Sequence, residues 1–368
     1  MEILFTVFAV TALVAVALVC TQHWHGHFSM DSTFGVQKHH TEPTPRIGGV
    51  ALVSGLLMGW FLAAPDVRAI LGPMLLAGVP AFAFGLAEDV TKKVGVLPRL
   101  LATMFSGVLA WYLTGVAMQD TGVPFVDWML QFTPVAVIFT AFAVGGVANS
   151  INIIDGFNGL AAGAVSIMLA AIGLMALSVG DAPLAATCAV LAACALGFGA
   201  VNWPLGKIFL GDGGAYLLGF CLAWVAVLLP MRSPHINAWA TALACAYPVI
   251  EVLSSVRRRR KREGHHPGQP DKVHLHHLVH RRVIRQRFPG LRAPLQNGFT
   301  SVLCCFLVVL PAAWAVVFAQ NTWALALGFA LFAGIYEALY VRLSQFRWTW
   351  FKDGSHAPKC RPADAHKS

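Results

Sequence analysis

An all-α, polytopic membrane protein of about eleven transmembrane helices is the fold this sequence predicts, and three observations predict it. Hydrophobic residues make up 57% of the 368 and charged residues only 12%, about half the charge of a soluble domain. Apolar stretches of near 20 residues follow one another along the chain, each long enough as a helix to cross a bilayer core of about 30 Å. Lys and Arg fall almost entirely in every second connection between those stretches, the asymmetry that membrane insertion imposes. A soluble multidomain enzyme and a disordered chain are both excluded, the second because disorder needs low hydrophobicity and high charge.

Largely uncharged stretches place the spans at 3–22, 47–65, 69–87, 100–118, 132–154, 157–180, 182–201, 213–230, 236–256, 297–319 and 322–341. The first is read as a retained helix. Glu2 is its only charge, and no small-residue cleavage site precedes Thr21-Gln22-His23. The 236–256 span carries Glu251 near one end. The connections after spans one, three, five, seven and nine, with the C-terminal tail, hold 24 of the 26 Lys and Arg; Arg68 and Arg232 sit on the other side. The N-terminus is therefore expected outside and the C-terminus in the cytoplasm. The net charge of +9 reads as an orientation signal facing anionic lipid, and no nucleic-acid partner is expected. Residues 1–341 form one membrane-embedded domain with cytoplasmic loops that include 257–296, and 342–368 form a basic cytoplasmic tail. Eight cysteines show no CxxC pair, and six lie in apolar segments. They read as small packing residues.

With that orientation the polar motifs gather on one side. The loop before the second span reads Glu42-Pro43-Thr44-Pro45-Arg46-Ile47-Gly48-Gly49, and the third span ends in Glu88-Asp89 followed by Lys92-Lys93. The fifth runs into Asn149-Ser150-Ile151-Asn152-Ile153-Ile154-Asp155-Gly156-Phe157-Asn158-Gly159. The seventh leads to Lys207-Ile208-Phe209-Leu210-Gly211-Asp212-Gly213-Gly214, and the ninth loop reaches Pro270-Asp271-Lys272-Val273-His274-Leu275-His276-His277.

Each motif has a plainer reading. Glu88-Asp89 fits a helix end meeting water, and Asp155-Gly156 and Gly211-Asp212-Gly213 fit tight turns. Against this, adjacent carboxylates repel unless a cation compensates, and ionised carboxylates flanked by apolar sequence are expensive and usually functional. Glycines let backbone N–H groups approach an anion at a helix N-terminus; Arg46 and Lys207 add positive charge. Carboxylates for a metal and donors for phosphate suit a Mg²⁺–diphosphate complex. His274, His276 and His277 suit phosphate contacts. The other histidines, among them His39-His40 and His265-His266, lack metal-site spacing and read as structural or solvated. The basic run from Arg257 to Arg262 reads as an anchor at anionic lipid.

Taken in order, these segments resemble the polyprenyl-phosphate N-acetylhexosamine-1-phosphate transferase superfamily, glycosyltransferase family 4. The likeness is to its O-antigen-initiating branch, on the Pro43 to Gly49 segment and the span count. The family's Asp-Asp pair matches Glu88-Asp89, and its Asn-x-x-Asn-x-x-Asp-Gly motif matches Asn149, Asn152, Asp155 and Gly156. Its Phe-x-Gly-Asp-x-Gly motif matches Phe209, Gly211, Asp212 and Gly214, and its histidine motif matches His274, His276 and His277. Glu88 replaces the common first Asp, Asn158 stands where many members have Asp, and Ala215 where Ser is common. Glu251 resembles an acidic position of the corresponding helix, with no role assigned.

The resemblance implies a Mg²⁺-dependent (or Mn²⁺-dependent) transferase of the bacterial inner membrane, multi-pass, working at the cytoplasmic face. It would move a sugar-1-phosphate from a UDP-sugar to polyprenyl (undecaprenyl) phosphate, giving polyprenyl-diphospho-sugar and UMP and starting a lipopolysaccharide-type glycan. Glu88, Asp89, Asp155 and Asp212 are then the expected catalytic residues. Arg46, Asn149, Asn152, Lys207, His274, His276 and His277 are expected to bind substrate, and Asp212, Asn152 and Asp155 to hold the metal. The phospho-N-acetylmuramoyl-pentapeptide transferase of peptidoglycan synthesis is the alternative within the family. A multi-pass transporter is the alternative outside it, disfavoured because the charges cluster at one boundary and no repeat is seen. The sugar and the oligomeric state are not legible in the sequence.

Overall fold

The computed structural model describes residues 1–31, 43–261 and 273–345, and these are almost wholly helical. His39-His40, His265-His266, Asp271 and most of the basic tail lie outside the described residues. The chain opens with α1 (Glu2–Cys20) and a short α2 (Gln22–Ser29). Met30–Asp31 then pairs antiparallel with Thr44–Pro45, Met30 opposite Pro45. There follow α3 (Gly48–Leu62), α4 (Pro65–Thr91), α5 (Val96–Thr114), α6 (Pro124–Leu130), α7 (Thr133–Ile154), α8 (Leu160–Ser178), α9 (Ala182–Asn202) and α10 (Gly211–Arg232). Next come α11 (Ala238–Ala244), α12 (Ala246–Lys261) and α13 (Leu275–Val279). A π-turn over His280–Ile284 joins α13 to α14 (Arg285–Arg287), before α15 (Ala293–Val317) and α16 (Thr322–Ser344).

Among the described residues nine helices are long and apolar enough to cross a membrane. They fall on nine of the eleven expected segments. The other two depart from simple spans for local reasons. The 47–65 segment forms only the 15-residue α3, about 22 Å at 1.5 Å per residue. Ala63 and Ala64 turn extended there and Pro65 opens the next helix. The 236–256 segment is broken into α11 and α12 at an angle of 76°. Pro248 explains the break: it has no N–H to donate, and its ring would strike the carbonyl four residues back, at Ala244, where α11 ends.

α10 is the centre of the bundle. In its most apolar window 89% of residues are buried, against 17% in α1, whose side chains Phe5 and Leu13 stay exposed. Such exposed apolar faces on long helices suit lipid contact. Glycine lets α4 reach α10: a Cβ on Gly85 would lie 2.6 Å from the backbone carbon of Asp212. The 22 residues of α10 span about 33 Å, so Asp212 and Arg232 mark opposite ends of the bundle. At the Arg232 end its guanidinium meets Asp181 in two bonds, Nε to Oδ2 at 2.6 Å and Nη2 to Oδ1 at 2.9 Å. Asp181 also caps α9 by accepting from Leu184 N–H at 3.1 Å. Burial alone would raise this carboxyl, but the bonds from Arg232 and Leu184 prevail and hold it below its ordinary range. Five of the cysteines are buried and no disulfide forms among the described residues, as expected of packing residues.

Candidate active site

The site is assembled at the N-terminus of α10. Two short segments first lock together. Gly48 and Gly49 donate to the carbonyls of Phe209 and Leu210 at 3.0 Å each, and Phe209 donates back to Pro45 at 2.8 Å. This exchange carries Arg46 onto the first turn of α10. Gly211 makes the turn possible: its φ is +74°, and a Cβ there would come within 2.1 Å of the Arg46 carbonyl oxygen. Only glycine adopts such a position without a clash.

Asp89, at the end of α4, closes that turn from the other side. Its Oδ1 accepts from Asp212 N–H at 2.9 Å and its Oδ2 from Gly213 N–H at 2.8 Å. It is 1% exposed. A carboxylate on the leading N–H groups of a helix also meets the positive end of its dipole. Arg46 Nε lies 3.2 Å from Asp89 Oδ1, and Arg46 Nη2 donates to Asp212 Oδ1 at 2.7 Å. Asn152 Nδ2, from the end of α7, donates to the same oxygen at 3.0 Å. Arg99 Nη1, from the first turn of α5, pairs with Asp212 Oδ2. Four helix ends and the Arg46 loop thus converge on one carboxylate held between two guanidinium groups.

Asp155 follows α7 directly. Burial is the largest influence on it and pushes its carboxyl up to about 7, with Arg46 drawing it down and Asp89 raising it further. Asp155 therefore lies in the field of the same cluster. Between about pH 4 and 7 the folded, metal-free protein holds this proton more tightly than the unfolded chain does. Stability accordingly falls as pH rises through that window. Asp155→Asn is expected to melt at a higher temperature than the wild type above pH 7 and to match it below pH 4. A lower melting temperature than wild type at pH 8 would remove the desolvation argument.

Asn149 accepts from Tyr216 O–H at 3.2 Å, one turn along α10 from Asp212. The histidines pack beside Asp155-Gly156. A Cβ on Gly156 would lie 3.5 Å from His276 Nε2, and Phe157 stands 5.5 and 5.4 Å from the rings of His276 and His277. His274 stacks on His276 at 5.3 Å. Asn158 N–H donates to Asn297 on α15 at 2.6 Å, and Asn158 Nδ2 to the Pro204 carbonyl at 2.9 Å. Those bonds fix the loop after Asp155 against its neighbours.

Of the residues singled out from sequence, Arg46, Asp89, Asn152 and Asp212 are in direct contact. Asp155, Asn149, His274, His276 and His277 lie around them. Two stand apart. Glu88 turns away from Asp89, and its Oε2 accepts from Val94 N–H at 2.7 Å in the α4–α5 turn. Lys207 is exposed and makes no ion pair with the cluster. In the sequence Arg99 falls one residue before the 100–118 segment and reads only as one more positive charge of the connection. It is the one charge within the apolar α5, and an ionisable residue inside such a helix is a functional signal by itself.

Among the described residues no three His, Cys, Asp or Glu side chains gather as a metal cage. A Mg²⁺ ion bound with a diphosphate needs none, since one or two carboxylates, waters and phosphate oxygens complete its shell. Asp212 with Asn152 and Asp155 offers a donor set of that kind.

Fold and site define a polytopic membrane protein with a cluster of charged side chains at one end of its bundle, where Arg46 and Arg99 meet Asp89 and Asp212. The family model described as glycosyl transferase family 4 matches residues 71–230, which include Asp89, Arg99, Asn149, Asn152, Asp155 and Asp212. Relatives over most of the chain are named undecaprenyl-phosphate alpha-N-acetylglucosaminyl 1-phosphate transferase. The protein from Yersinia pestis is 26% identical over 284 residues, covering 75% of this chain and 72% of that one. That from Escherichia coli strain K12 is 27% identical over 282 residues, with the same shares. The Haemophilus influenzae protein is 31% identical over 149 residues, covering 40% and 39%. The chain is thus similar to the undecaprenyl-phosphate sugar-1-phosphate transferases, over residues 71–230 by the family model and over three quarters of its length by these relatives.

Proposed function

We propose that this protein transfers an N-acetylhexosamine-1-phosphate from a UDP-sugar to undecaprenyl phosphate at the cytoplasmic face of a bacterial inner membrane. The product, undecaprenyl-diphospho-sugar, would start a cell-envelope glycan such as O-antigen. One observation carries the reading: Arg46, Arg99, Asn152 and the α10 N-terminus meet at Asp212, in a chain whose relatives bear that transferase name. An oxygen of the lipid phosphate attacks the β-phosphorus of the UDP-sugar. The bond from that phosphorus to the bridging oxygen breaks, and UMP leaves with the electron pair.

The residues present support this by positioning and charge. Planar guanidinium forks suit diphosphate oxygens, and Arg46 and Arg99 come from two different segments, so they can grip a diphosphate from two sides. Asp89 holds the α10 turn and Arg46 in register. The histidines beside Gly156 serve phosphate contacts. A phosphate monoester has its second pKa near 6, so most of the acceptor is dianionic at pH 7 and a carboxylate base need contribute little. Positioning and charge neutralisation then dominate, as in phosphoryl transfer generally. Bound by Asp212, Asn152 and Asp155, Mg²⁺ would supply Lewis-acid neutralisation of the diphosphate charge.

Membranes containing the protein, incubated with radiolabelled UDP-N-acetylglucosamine and undecaprenyl phosphate, are expected to yield organic-extractable label. EDTA should abolish it, and Mg²⁺ or Mn²⁺ restore it. Transfer that persists in EDTA would remove the metal from the scheme. Failure with every UDP-sugar of a broad panel would remove the function itself.

A further inference from the structure

Glu251 is fully buried, 0% exposed, on α12, which turns 76° from α11 at the break. A buried carboxylate demands partners, and Glu251 spends both oxygens on the histidine motif. Oε1 lies 2.9 Å from His274 Nδ1, and Oε2 accepts from Leu275 N–H at 3.0 Å, the first residue of α13. Arg258, two turns along α12, places Nη2 at 3.6 Å from Oε1 and lies 4.2 Å over the Tyr340 ring of α16. The carboxylate is thereby held from α12 and α16, and the motif is held by the carboxylate.

We infer that Glu251 is a positioning residue for His274. It accepts the hydrogen on Nδ1, which fixes the ring's tautomer and rotation and leaves Nε2 as the working nitrogen toward the phosphates. A ring nitrogen is tuned in this way wherever a carboxylate holds the other one. The alternative is a purely structural role, as the cap of α13. The inference rests on the transferase reading for its kinetic arm.

Glu251→Gln separates the two roles. Glutamine keeps an acceptor for Leu275 N–H but presents an amide N–H₂ to His274 Nδ1, forcing the other tautomer. The variant is expected to lose about 10- to 100-fold in kcat/KM while melting close to the wild type, and Glu251→Asp, which keeps the charge, is expected to recover at least part of that loss. His274→Ala sets the comparison: the double variant Glu251→Gln/His274→Ala should be no slower than His274→Ala alone. A wild-type rate for Glu251→Gln, losses that multiply in the double variant, or no recovery by Glu251→Asp would each overturn the role. A readout without turnover separates this inference from the function reading. Carbethoxylation of His274, followed by mass spectrometry, should run several-fold slower in Glu251→Gln than in the wild type, because the forced tautomer carries its hydrogen on Nε2, and an unchanged or faster rate overturns the role even if no sugar donor is ever found.

Discussion

Asp212→Asn is expected to lower transfer about 10³-fold and leave the melting temperature nearly unchanged. Asp212 Oδ1 accepts from Arg46 and Asn152, and Oδ2 meets Arg99. Asparagine keeps one acceptor and turns a second donor toward a guanidinium. Arg46 and Arg99 lose the charge that orients them, and a metal would lose its carboxylate. Removal of a single preorganised electrostatic group from such a site costs about 10²–10³ in rate, and here one residue organises three others. Stability should move little because Arg46 keeps Asp89 as its partner and both guanidinium side chains reach solvent, 25% exposed for Arg46 and 13% for Arg99. The first turn of α10 also stays anchored by Asp89. Measuring initial rates of lipid-linked label beside thermal melts checks both halves. Turnover within tenfold of wild type would take Asp212 out of the site.

Asp89→Asn is expected to be inactive for a different reason, and measurably less stable. Both oxygens of Asp89 accept backbone N–H groups of α10. An amide can satisfy only one of them, leaving its own N–H₂ against the other. A buried donor left unpaired costs about 1–3 kcal/mol, and loss of a negative charge at a helix N-terminus adds about 0.3–1 kcal/mol. The turn carrying Asp212 and the Arg46 contact would shift together, so activity falls with stability. Insertion should survive, since the apolar spans are untouched. The contrast is the test: Asp212→Asn inactive and stable, Asp89→Asn inactive and destabilised. An Asp89→Asn protein that melts with the wild type would contradict the capping geometry.

The difference between adjacent Glu88 and Asp89 shows where sequence reading ends. The pair reads as two equivalent acids at a helix end, yet successive residues on a helix point about 100° apart. One carboxylate caps α10, and the other ties down the turn to α5. Arg99 falls at a span boundary in the sequence, because hydropathy counts apolar residues and carries no information about which helix faces which. Glu251 could be noticed as a carboxylate in an apolar segment, but its partner His274 lies 23 residues on and meets it only in the folded chain.

Hydropathy and charge alternation alone determined the helical class, the approximate places of the spans and their expected orientation. Those properties follow from transfer of each segment into lipid, a local quantity summed along the chain. Motif spacing likewise marked Arg46, Asp89, Asn152, Asp155 and Asp212 as candidates. Only the tertiary structure decided that α10 stands at the centre, that its first turn rests on Asp89, and that Arg99 joins Arg46 on Asp212. Such contacts join residues 113 to 166 positions apart, and they depend on glycines such as Gly85 and Gly211 letting backbones approach within a few ångströms. Close approach of that kind is a property of packed surfaces and has no one-dimensional signature.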